Sequence, residues 1–211
     1  MKQGFLGYAL VALVFGGLVA TAVADDLYPP WWRGSPGTTS QMWQFLTPDP
    51  VPPPDGPAPG GLPPLPSTHV SVIAHPWVDY DPASGREGIW PLADGDSISV
   101  TVDNFPQQNP EKWMHVQLTW IGASTPVLSG FSPLPGTPIS ESTSLLADGW
   151  KQTVWDWKVF PNPPDESFVI NGSARIDQLV IDTACVPEPS TLVLLAAGVL
   201  LAAWVCWRRG G

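Results

Sequence analysis

KWMHVQLTWI, residues 112–121, is the stretch whose reading decides the fold. Met114, Val116, Leu118 and Trp120 recur at every second position, and Trp113, His115, Gln117 and Thr119 fill the positions between. A period of two puts the first set on one face of a β-strand and the second set on the other. DSISVTVDNF, residues 96–105, repeats the pattern, with Ile98, Val100 and Val102 against Ser97, Ser99, Thr101 and Asp103. Each strand carries one apolar face, so the two must share a core.

Working outward, THVSVIAHPWV (68–78), WKQTVWDWKVF (150–160) and SFVINGSARIDQLVIDT (167–183) also read as strands. Asp94-Gly95, Asn109-Pro110, Asp148-Gly149, Asn162-Pro163-Pro164 and Asn171-Gly172 mark turns, the last as a two-residue hairpin. Thr39–Leu46 reads as a first strand. Residues 47–67, crowded with Pro and Gly, read as a polyproline-like surface loop leaving it. No segment between the termini has helical period. About eight short strands then predict an all-β fold over residues 25–184, an antiparallel β-sandwich of jelly-roll-like type.

Composition agrees. The 211 residues include 27 Pro and 12 Trp, and only 13% are charged, with a net charge of −10. An acidic chain lacks the basic face that nucleic acid requires. Both ends read as targeting segments. Lys2, the apolar run Phe5–Ala20 and the A-x-A site Ala22-Val23-Ala24 form a signal-peptide pattern over residues 1–24, with cleavage expected before Asp25. At the other end Leu192–Trp207 is an unbroken apolar run. As a helix it would span roughly 24 Å, short of the roughly 30 Å hydrocarbon core, and tilt-free insertion needs bilayer thinning or snorkelling. Arg208 and Arg209 would hold its end on the cytoplasmic side.

Pro187-Glu188-Pro189, Ser190-Thr191, the apolar run and Arg208-Arg209 together resemble the PEP-CTERM sorting signal of bacterial envelope proteins, over residues 185–211. The resemblance implies recognition by an exosortase at the membrane, removal of the tail near Pro187-Glu188-Pro189, and release or attachment at the cell surface. Such proteins are linked with exopolysaccharide and the extracellular matrix. The sandwich is also similar to a globular type carried by tail-sorted proteins, through YPPWWRG, NFPQQNPEKWMHVQLTWIG, WDWKVFPNPPDE and IDQLVIDTACVPEPS. That likeness implies a β-sandwich and no known activity.

Chemistry is sparsely signalled. His69, His75 and His115 lack metal-ligand spacing. Asp94-Gly95-Asp96 and Asp79-Tyr80-Asp81 match no complete calcium loop and fit turn chemistry. No G-x-S-x-G elbow occurs, and Asp165-Glu166 falls in a proline turn. Neither a cofactor nor a metal is expected. Cys206 lies in the apolar run and cannot reach Cys185, which would be a lone thiol, in a dimerising or attachment role or in none. The indoles are the open question. Trp113, Trp155 and Trp157 are candidate glycan contacts, with burial in the core as the competing reading, and Trp113 shares its face with His115 and Gln117. The sequence therefore predicts a non-enzymatic, exported envelope or matrix protein. The alternatives are a carbohydrate-binding module and, third, a polysaccharide hydrolase.

Overall fold

The computed structural model describes residues 25–63, 68–74, 76–103, 109–132, 138–186 and 193–201. Among them run eleven strands: β1 (Thr38–Trp43), β2 (His69–Ile73), β3 (Val78–Asp81), β4 (Arg86–Leu92), β5 (Ser97–Asp103), β6 (Glu111–Gly122), β7 (Val127–Ser132), β8 (Ser140–Leu145), β9 (Lys151–Val159), β10 (Asp165–Asn171) and β11 (Ala174–Val186). One sheet has the order β3-β4-β11-β6-β9-β8, with β1 also paired to β11. The other has the order β2-β5-β10-β7. Every pairing is antiparallel. The expected sandwich is present. Its larger sheet has seven strands, so it is not the plain eight-stranded jelly roll of two equal sheets.

The alternation read from the sequence packs the two sheets together. Ile98, Val100 and Val102 on β5 meet Met114, Val116, Leu118 and Trp120 on β6 in one buried cluster. Aromatic rings fill the gap. Trp157 of β9 lies 6.2 Å from Phe168 of β10, and Phe131 of β7 lies 5.3 Å from Trp157. Rings of this size bury enough apolar area to contribute about 1.5–3 kcal/mol each.

Three local expectations change. The first strand stops at Trp43 because Phe45 turns into the left-handed region, at φ 54°, and sends its ring into the core. The Gln44 N–H then goes to the Asp55 carboxylate, 2.5 Å away. The proline loop does not leave. Met42 N–H bonds Gly56 O and Ser40 N–H bonds Leu62 O, so residues 55–62 run back along the edge of β1 that β11 leaves free. Finally, Asn171-Gly172 is no hairpin, since β10 and β11 lie in different sheets. Gly172, at φ 136°, carries the chain across, and a Cβ there would lie 3.3 Å from Pro126.

The inward face of β6 also holds a charge. Lys112, in phase with Met114, is fully buried, and its ammonium pairs with the equally buried Glu166 of the opposite sheet. Asp165 and Glu166 open β10 rather than sitting in a turn. Burial pushes the Glu166 carboxyl up, against the pull of Lys112. Removing one partner strands the other in an apolar interior, which costs about 3–5 kcal/mol, whereas an apolar pair of similar volume is tolerated. Lys112→Ala should therefore lower the urea unfolding free energy by about that amount, and Lys112→Met with Glu166→Leu should recover most of it.

Candidate functional site

The outer face of the larger sheet is polar in sequence and should meet water. It is buried instead. Gln117 and Thr119 are closed off, and His115 almost so, because residues 25–33 cross over them. Tyr28 donates its N–H to Gln117 Oε1 at 3.1 Å, and Gln117 Nε2 donates to Asp26 Oδ1 at 2.7 Å. The His115 ring faces Asp156 Oδ1 at 2.6 Å and Tyr28 O at 2.9 Å. Gln152 Nε2 bonds the Asp25 carbonyl, and Tyr28 Oη reaches Ser144 Oγ at 3.0 Å.

Arg33 clamps this strap. It is bidentate to Asp182 of β11, at 2.7 and 2.6 Å, and pairs with both oxygens of Asp26. All three side chains are nearly inaccessible. Planar guanidinium geometry suits such double forks. Burial alone pushes the Asp182 carboxyl up, and Arg33 opposes it. Arg33→Ala would leave Asp182 buried without its cation, at a cost of about 3–5 kcal/mol. Hydrogen exchange should then speed up selectively at residues 113–119 and 152–156, the ground that the strap covers.

A second cluster holds the start of the strap. Arg86 on β4 meets Asp25, Asp148 at 2.7 Å and Asp177 at 2.5 Å. Asp177 sits where the β11–β6 register slips between Ile176 and Gln178. Burial pushes its carboxyl up to about 6; Arg86 pulls down, while Asp25 and Asp148 add to the rise. A folded value above the unfolded one means that the folded chain holds the proton more tightly. This contribution favours folding below about pH 4 and is lost as pH rises to 6. Relative to Asp177→Asn, the wild-type unfolding free energy should fall by about 3 kcal/mol between pH 3.5 and 7 in urea titrations.

The candidate residues scatter. Trp155 and Trp157 are 2% and 1% exposed. They fill the core beneath β9, and neither offers a face to a sugar; their strand carries indoles inward because Thr153, Trp155, Trp157 and Val159 form its inner row. Trp113 is half-buried on the outer face. Lys158 lies over its ring at 4.8 Å, and its Nε1 donates to Glu111. Cys185 is buried at the end of β11. His69 is exposed on β2 in the smaller sheet, far in topology from His115, and His75 lies outside the described residues. Asp96 and Asp81 cap their own turns, through Ala93 N–H at 2.9 Å and Ser84 Oγ at 2.8 Å. Among the described residues, no three His, Cys, Asp or Glu are grouped to hold a metal.

Ala22, Ala24, Pro187, Glu188, Pro189, Arg208 and Arg209 lie outside the described residues. Residues 193–201 form a short exposed helix, about 14 Å long at 1.5 Å per residue. No helix among the described residues is long and apolar enough to cross a membrane. What the structure does give is the take-off point. β11 continues to Val186, paired with Glu111, two residues beyond the boundary expected at 184. Residues 186–209 match the PEP-CTERM protein-sorting motif. The motif implies processing by an exosortase, export and sorting to the cell surface. The motif therefore begins where the sheet ends. No curated protein matches the chain, and no solved structure does.

Proposed function

We propose that the PEP-CTERM tail is a temporary membrane address and that the mature product, starting at Asp25, is a non-catalytic component of the cell envelope or extracellular matrix. The observation that carries this is the abutment of motif and fold: the sorting motif starts at Val186, the last residue of β11. A cut beyond that residue leaves every pairing of β11 intact. Pro187 and Pro189 disfavour helix at the tag. Arg208 and Arg209 fix the orientation of that run. At the front, Asp25 and Asp26 are already tied to Arg86 and Arg33, so cleavage before Asp25 costs the strap no contact among the described residues.

Membrane fractionation and blotting in a host with an exosortase test this reading. Replacing Pro187-Glu188-Pro189 by three alanines should leave insertion intact and make the full-length form accumulate in the membrane. Wild type should appear shortened at both ends by mass spectrometry, beginning at Asp25. If wild type keeps its tail and both forms run alike, the segment is a permanent anchor and the proposal fails.

A further inference from the structure

Trp31 is the most exposed large hydrophobic side chain among the described residues, at 85%. Its neighbour Trp32 points inward and is buried. The fold gains almost nothing from an indole left in water, and this one stands beside the half-buried indole of Trp113. The backbone that carries Trp31 is held in place. Trp31 sits in a tight turn closed by Arg33 N–H to Pro30 O at 3.0 Å and Ser35 N–H to Trp32 O at 3.1 Å. Arg33, two residues on, is locked between Asp26 and Asp182. The Trp31 ring meets Trp113 edge-on, with centroids 6.2 Å apart and planes at 70°. Lys158 lies over Trp113 and 3.9 Å from Glu111. Both charged side chains remain partly exposed.

We propose that Trp31 and Trp113 form a binding corner for a neutral pyranose polysaccharide. A pyranose has an apolar C–H face and a rim of hydroxyls. The open face of Trp31 suits the first. Lys158 as donor and Glu111 as acceptor suit the second. One cation and one anion cancel, and the chain as a whole carries −10, so an acidic polysaccharide gains nothing here and is repelled at long range. Arg33 fixes the turn that carries Trp31, which lowers the backbone ordering cost of binding. The corner lies beside the tail: Trp113 pairs with Ala184, two residues before Val186. This deepens the surface-protein reading, on which it rests for where the ligand is met, by naming what the attached domain grips.

The test uses the full chain in mild detergent, in native affinity gels containing dextran, galactomannan or mixed-linkage β-glucan, with cellulose and chitin pull-down beside them. At least one neutral glycan should retain the chain. Trp31→Ala should weaken retention at least about tenfold with an unchanged melting temperature, and Trp31→Phe should weaken it less. No retention on any glycan, or retention equal in Trp31→Ala, overturns the proposal. So does Trp31-dependent flotation with phosphatidylcholine vesicles in the absence of glycan retention, which would make the corner a lipid contact. The tail is intact throughout, so failure here is separate from failure of processing.

Discussion

The pairing of β11 with β6 is the constraint on which the rest depends. Along one edge β11 follows β6 from Ala174 to Val186. Along the other it pairs first with β4, over Ala174–Ile176, and then with β1, over Leu179–Ala184. A strand has only two hydrogen-bonding edges, so giving one of them to two partners forces the sheet to fork. The fork sits at the register slip around Asp177, and the Arg86 cluster occupies it. The far edge of β1 is then closed by the proline loop, whose prolines cannot recruit a further strand. An exposed edge is thereby removed.

The same strand links architecture to sorting. Its C-terminal end is the start of the sorting motif, and its Asp182 holds the arginine that fastens the N-terminal strap. The N-terminal strap and the start of the sorting motif are thus both organised by one central strand. The strap also turns an expected two-layer protein into one with a third, thin polar layer. Hydrogen bonds and ion pairs, rather than apolar burial, hold that layer, and each works because its partners are withdrawn from water together. The exposed indole corner sits on this layer, since Trp31 projects from the turn that Arg33 closes.

Much of the candidate site could be read from the chain only in part. The sorting residues were legible because they form a linear tag, read in order without a fold. Trp155 and Trp157 were ambiguous because an indole serves a core or a sugar equally well, and only the packing of Phe131 and Phe168 against Trp157 decides. Lys112 was in phase with Met114, which was signal enough to place it inward, yet a buried lysine is rare without a partner and Glu166 lies 54 residues away in sequence. Trp31 and Arg33 lie in YPPWWRG, which carried a likeness of fold but no signal of a site, because a short Pro-flanked segment has no period.

The sequence by itself determined the strand alternation, the inner faces of β5 and β6, the all-β class and the tag at the C-terminus. These follow from local rules: a period of two, turn residues and a linear motif. Tertiary structure alone decided which strands are neighbours, that Asn171-Gly172 crosses between sheets, and that the polar face of β6 is covered. Those outcomes depend on contacts between distant segments, such as Arg33 with Asp182, and no window of the chain contains both partners.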